Sequence, residues 1–188
     1  MASTADFFNG FTMEFKGDPW QIVEFQHVKP GKGPAFVRTR LKNLKNGKVI
    51  DNTFPSGHAI TEIRIERRQY QFLYKDDMGY TFMNNETFDQ VLLQEALIDA
   101  PEYLMEGQNV EIVFYADNDE PLLCELPPHV TLEVTYTEPG VRGDTATNVT
   151  KPATLASGAT IRVPIFVETG TKIRVDTKTK TYLDRVKD

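Results

Sequence analysis

The sequence predicts an all-β protein assembled from three small β-rich units. Three observations carry that expectation. Apolar residues recur with the two-residue period of strands almost throughout, turn signals separate the short runs, and the charge balance changes abruptly near residues 64 and 127. The units expected are 1–64, 65–127 and 128–188.

In the first unit, Thr12–Phe15, Gln21–Val28, Ala35–Leu44 and Lys48–Phe54 read as strands of a small meandering barrel. Gly17-Asp18-Pro19, Lys29 to Pro34 and Lys45-Asn46-Gly47 separate them, and Asn46-Gly47 signals a tight type I′ hairpin because both residues tolerate positive φ. If the strands flanking Lys29–Pro34 pair symmetrically, residues whose numbers sum to 64 face each other. Alternation then puts Val23, Phe25, Val37 and Leu41 on the core face. Gln26 opposite Arg38, Glu24 opposite Arg40, and Lys42 fall on the solvent face. The hairpin ends at Lys32, and eight residues per strand give it an arm of about 25 Å.

In the second unit, Gln69–Tyr74 and Tyr80–Met83 flank the turn Asp76-Asp77-Met78-Gly79, and Val110–Ala116 and Leu122–Leu126 flank residues 117–121. Between these hairpins, Asp99-Ala100-Pro101-Glu102 reads as a helix start with Asp99 as N-cap and Gly107 as the stop. Asp117-Asn118-Asp119-Glu120 lacks the glycine and distal glutamate of a calcium loop and reads as an acidic turn. Pro127-Pro128 suits a stiff connector. In the third unit, Thr131–Thr137, Thr160–Val167, Lys172–Asp176 and Thr181–Val186 read as strands, with 138–159 as a long polar loop.

The net charge of −6 hides its distribution. The first unit has nine basic and six acidic residues, the second three and fourteen, the third nine and seven; residues 26–48 hold seven basic residues and no acidic one. Attraction to phosphate acts over a screening length of about 8–10 Å, so this basic stretch matters more than the total. No run approaches the roughly 20 apolar residues of a membrane span, and the N-terminus has no secretory pattern, so a cytoplasmic protein is expected. Cys124, among leucines, reads as a small core residue. His27, His58 and His129 are scattered, which predicts no metal and no cofactor.

No phosphate loop, nucleophile elbow or paired-histidine motif occurs. Lys32, flanked by glycines in an exposed loop, has nothing to desolvate it as a Schiff-base or general-base lysine requires. These absences favour a binding protein over an enzyme.

Three motifs in order resemble the bacterial translation elongation factor P family across essentially the whole chain. They are Lys29-Pro30-Gly31-Lys32-Gly33-Pro34-Ala35-Phe36-Val37-Arg38, then Gly140-Val141-Arg142-Gly143-Asp144-Thr145, then the C-terminal signature running from Lys151 and Ala153 through Gly158, Ile161, Val163, Pro164 and Val167 to Gly170. The resemblance implies an SH3-like (KOW-type) N-terminal barrel and two OB-fold barrels, elongated or L-shaped. It also implies a monomer that enters the 70S ribosome beside the P-site peptidyl-tRNA when peptide-bond formation stalls on consecutive prolines.

On that resemblance Lys32 points at the CCA end of the tRNA, presented by Pro30, Gly31, Gly33 and Pro34, with Lys29, Arg38, Arg40 and Lys42 as basic hairpin contacts to RNA. Arg142, Gly143, Asp144 and Thr145 reach the E-site mRNA codon. Tyr182 and Arg185 match a pair associated with tRNA or small-subunit contact, although Lys180-Thr181 stands where the family usually has Gly-Glu. Pro34 departs from the common pattern and resembles a subfamily that works with an unmodified lysine. The competing readings are a paralogue acting on other stalls, whose loop tip usually carries arginine, and a generic OB-fold RNA binder stacking bases on Tyr70, Phe72 and Tyr74.

Overall fold

The computed structural model describes residues 2–140 and 149–186. Among the described residues the regular structure is β-strand with three single-turn 3-10 helices. Packing divides the chain into two compact units, Met1–Arg68 with Ile112–Cys124, and Gln69–Glu111 with Glu125–Asp188.

The first of three curled sheets contains β1 (Ala2–Ser3), β2 (Thr12–Phe15), β3 (Asp18–Val28), β4 (Phe36–Asn43), β5 (Val49–Pro55) and β6 (Ala59–Glu62) in the order β1-β6-β2-β3-β4-β5. Alternation on β4 buries Val37, Thr39 and Leu41 and exposes Arg38 and Arg40. Val37 and Leu41 join Phe7, Phe11, Met13, Trp20, Ile22, Phe54 and Ile60 in one core, where Phe7 meets Phe54 edge-on at 5.8 Å. Trp20 is buried, and among the described residues its indole N–H has no hydrogen-bond partner, at a cost of about 1–3 kcal/mol.

The pairing of β3 with β4 departs from the expected register at one place. Residues summing to 64 do face each other from Val28↔Phe36 to Glu24↔Arg40, but a bulge follows, after which Ile22 faces Leu41 and Trp20 faces Asn43. Val23 is the extra residue and is 46% exposed, while Ile22 takes the core place expected for Val23. Asn46-Gly47 also differs from a type I′ turn. Only Gly47 has positive φ (70°), and Gly47 N–H donates to the Asn43 carbonyl at 2.9 Å, closing a longer loop. The Asn43 side chain holds that loop by accepting from the Lys45 and Asn46 amides.

The second sheet comprises β7 (Ile65–Asp76), β8 (Gly79–Asn84), β9 (Gln90–Leu93), β10 (Asn109–Tyr115) and β11 (Glu120–Glu125), ordered β11-β10-β7-β8-β9. Both hairpins expected from the sequence form, and β9 is added to them. No helix follows Asp99. Ala100 is left-handed (φ 54°), one 3-10 turn spans Pro101–Tyr103, and Leu104 is already extended. So short a segment lacks the turns a helix needs to offset its nucleation cost. Tyr70 and Phe72 are 5% and 4% exposed, which removes them as base-stacking platforms, whereas Tyr74 is exposed. Asp117 and Asp119 face Arg64 and Arg68, in keeping with an acidic turn. Cys124 is buried, as expected.

The third sheet has β12 (His129–Thr137), β13 (Thr150–Leu155), β14 (Thr160–Pro164), β15 (Lys172–Asp176) and β16 (Thr181–Arg185), ordered β14-β13-β12-β15-β16. The loop expected over 138–159 is therefore interrupted by a strand. β13 pairs with β14 from Thr150↔Pro164 to Thr154↔Thr160 despite Pro152, which still offers its carbonyl to the Thr137 hydroxyl. Among the described residues no helix is long and apolar enough to cross a membrane.

The bulge makes adjacent valine and isoleucine unequal. Ile22→Ala should cost about 2–5 kcal/mol of stability, and Val23→Ala less than about 1 kcal/mol. Urea unfolding of both variants checks this; comparable losses would place Val23 in the core.

Candidate nucleic-acid interface

The β3–β4 ladder ends at the pair Val28↔Phe36, and residues 29–35 form the connection beyond it. Lys29, Gly31, Lys32, Gly33 and Pro34 are exposed, and Pro30 is half-buried. The base of this connection is held by Ser56 N–H donating to the Ala35 carbonyl at 3.0 Å. The two glycines are not equivalent. Gly33 has φ 103°, where an L side chain is strained, and a Cβ there would lie 4.0 Å from Pro30 Cγ. Gly31 has an ordinary φ and open space around it. Gly33 is thus required by the backbone, whereas Gly31 keeps the surface beside Lys32 clear.

The four basic hairpin residues occupy different surroundings. Arg38 stands between Gln26 and Thr53 in the register, with its guanidinium 5.5 Å from the Phe36 ring centroid. Arg40 stands between Glu24 and Asp51, so two carboxylates offset its field. These rows line an open groove of about 560 Å³. Lys42 is half-buried between Gln21 and Val49, further from the tip, and Lys29 is exposed beside it. The charge available to an anionic partner is therefore concentrated at Lys29, Lys32 and Arg38, a distinction invisible without the neighbouring strand β5.

Arg142, Gly143, Asp144 and Thr145 lie outside the described residues. Their described flank, Gly140, runs so close to the 164–170 segment that a Cβ would sit 2.8 Å from the Ile165 carbonyl oxygen. At the C-terminal hairpin, Tyr182 faces Val175 and Arg185 faces Ile173, with a register shift between those pairs. Tyr182 is half-buried, and burial raises its phenol above the ordinary value; Arg185 is exposed. Asp184, in the same strand, accepts two hydrogen bonds from the Arg174 guanidinium, which hold its carboxyl below the usual range. Lys180 has φ 57°, accounting for the glycine that the family resemblance leads one to expect there, and its amino group pairs with Glu102. Among the described residues no cluster of three or more His, Cys, Asp or Glu could hold a metal ion.

Comparison with known proteins agrees with this architecture. Residues 3–60 match the elongation factor P KOW-like domain, 65–123 its OB domain and 130–185 its C-terminal domain. Elongation factor P 1 of Porphyromonas gingivalis is 55% identical over 188 residues, covering the whole of both chains. Elongation factor P of Amoebophilus asiaticus is 57% identical over 187 residues, covering 100% of this chain and 98% of that one. Among solved structures, a translation initiation factor eif-5a family protein from Naegleria fowleri aligns with a TM-score of 0.51 at 17% identity, over 66% of this chain and 96% of that one; this likeness concerns the fold alone. A KOW-like barrel joined to OB barrels, with a basic hairpin ending in an exposed lysine, defines a translation factor of the elongation class. The chain belongs to the elongation factor P family.

Two outcomes check this geometry. Gly33→Ala should weaken function more than Gly31→Ala, because only the former must leave its backbone conformation; side-by-side translation assays decide it. The depressed Asp184 carboxyl contributes stability that is present above its unfolded pKa and is lost as pH falls through its lower folded value. Carboxyl NMR titration should therefore find Asp184 still ionised below the ordinary carboxylate range, and Arg174→Ala should return it to that range.

Proposed function

We propose that the protein binds the 70S ribosome beside the P-site peptidyl-tRNA and promotes peptide-bond formation at consecutive-proline stalls. Exposure of Lys32 at the end of a two-stranded antiparallel hairpin is the observation that supports this most. Lys32 would meet phosphate or sugar oxygens of the CCA end, with Lys29 and Arg38 contacting neighbouring RNA and Arg40 and Lys42 adding a weaker field. The factor would supply no reacting group. Holding the tRNA end and nascent chain in a reactive geometry lowers the entropic part of the barrier, and the transferase remains ribosomal RNA.

In the same reading the chain is a cytoplasmic monomer with domains 1–64, 65–127 and 128–188. Arg142, Gly143, Asp144 and Thr145 would meet the E-site codon, where Asp144 and Thr145 can bond the edges of unpaired bases. Tyr182 and Arg185 would add a tRNA or small-subunit contact. Pro30 and Pro34 restrict the loop and lower the ordering cost of binding, so Lys32 would act without a covalent extension. Burial of Tyr70 and Phe72 weighs against the generic single-strand binder.

Translation of a consecutive-proline reporter should stall without the protein and resume with it. Lys32→Ala should lose most of that effect while its ribosome affinity falls only modestly; equal activity of both proteins would remove Lys32 from the mechanism. Intact-mass measurement of the native protein should find no added group on Lys32.

A further inference from the structure

Two loops of the chain close in the same way and differ at one decisive residue. In the first sheet Asn43 N–H donates to the Lys48 carbonyl at 2.8 Å, Gly47 N–H donates to the Asn43 carbonyl at 2.9 Å, and Asn43 Oδ1 accepts from the Lys45 and Asn46 amides. In the second sheet Asn84 N–H donates to the Asp89 carbonyl at 2.8 Å, Phe88 N–H donates to the Asn84 carbonyl at 3.0 Å, and Asn84 Oδ1 accepts from the Glu86 and Thr87 amides. Both asparagines are buried. The fourth residue after each is left-handed, Gly47 at φ 70° and Phe88 at φ 64°.

Glycine is the residue that this conformation favours, and an aromatic side chain there is strained. Among the described residues five non-glycine positions have positive φ, and Phe88 is the one aromatic among them. Packing does not offset the strain, because Phe88 is 68% exposed. A Cβ at Gly47 would meet nothing within 4 Å, so the first loop closes with no side chain although it has room for one. The ring of Phe88 is therefore not needed to close its loop, and strain kept without a folding benefit points to a contact outside the chain.

The surroundings select the chemistry of that contact. Glu86 and Asp89 stand on either side of Phe88 in the loop and are exposed, and among the described residues neither is in an ion pair. Residues 65–127 carry three basic against fourteen acidic residues. Phosphate is repelled by such a setting, whereas a cationic protein surface with an apolar recess complements both the ring and its carboxylates.

We propose that Phe88 is a docking residue of the second barrel, seated on the ribosome in an apolar recess of a positively charged protein. This rests on the ribosome reading above, and it gives the acidic barrel a partner different from the RNA that Lys29, Lys32 and Arg38 would meet.

The test follows melting, binding to purified 70S ribosomes and stall relief. Phe88→Gly keeps the conformation that Gly47 adopts, so calorimetry should find the second barrel's midpoint raised by about 2–4 °C. Its ribosome Kd should rise about tenfold, as expected for loss of one buried aromatic contact, and the concentration giving half-maximal stall relief should rise in step. Glu86→Gln combined with Asp89→Asn should weaken binding about twofold to fivefold and flatten its salt dependence. With p-benzoylphenylalanine in place of Phe88, irradiation of the bound complex should cross-link a ribosomal protein. A lowered midpoint for Phe88→Gly would make the ring a structural element and overturn the proposal. Tighter binding by the charge-neutralised variant, or cross-links to RNA alone, would overturn the protein partner. Wild type that fails to bind 70S ribosomes would remove the ribosome reading and this inference with it, whereas wild-type binding that Phe88→Gly leaves unchanged removes this inference alone.

Discussion

The antiparallel register of β3 and β4 is the constraint on which the interface depends. Each pair from Glu24↔Arg40 to Val28↔Phe36 fixes which side chains face the core and which face solvent, and the ladder's last pair fixes where Lys32 begins its reach. A one-residue slip would turn the buried Val37 and Leu41 outward and the arginines inward, which the apolar core forbids. Packing beneath the sheet thus sets the position of a charge well beyond it. The bulge at Val23 belongs to the same device: it changes the phase so that Ile22 and Trp20 reach the core while the tip-side half of the hairpin keeps its pairing.

Charge is distributed to match. Arg40 lies between two carboxylates in the register, whereas Arg38 lies between an amide and a hydroxyl, so adjacent outward arginines present unequal fields. The acidic central part does not oppose a role on RNA, because several of its carboxylates are held close to home. Asp117 and Asp119 face Arg64 and Arg68, and Glu95 faces Lys75. Exposed pairs of this kind contribute little stability, but they shorten the range of the field each carboxylate projects.

Strong period-two alternation made the β3–β4 hairpin, its outward arginines and the third-barrel strands around Lys172–Asp176 legible in the sequence. What stayed hidden has specific causes. A bulge has no residue signature, so Val23 read as core. Asp99 to Glu102 carries the marks of a helix start, yet the chain is extended again at Leu104 and never builds a second turn. β13 was concealed by the residues that define it, since proline argues against a strand and lysine against a core position. The alternation of Lys151, Ala153 and Leu155 was present, but it becomes visible only when the Glu138 carbonyl accepts from the buried Lys151 amino group. The surroundings of Arg38 and Arg40 needed the third strand, β5, whose register no local pattern specifies.

The single tryptophan of the chain lies in the core of the first barrel, packed edge-on against Phe15 at 6.1 Å. Intrinsic indole emission therefore originates from that barrel alone. Its wavelength reports whether the support of the lysine hairpin is closed or wet, without interference from the other two sheets. The protein thus carries an optical label on the part that supports the proposed function, and loosening of the third barrel would be spectrally silent. Fluorescence and whole-chain calorimetry should consequently disagree whenever the barrels melt separately, and the size of that disagreement measures how strongly the chain couples them.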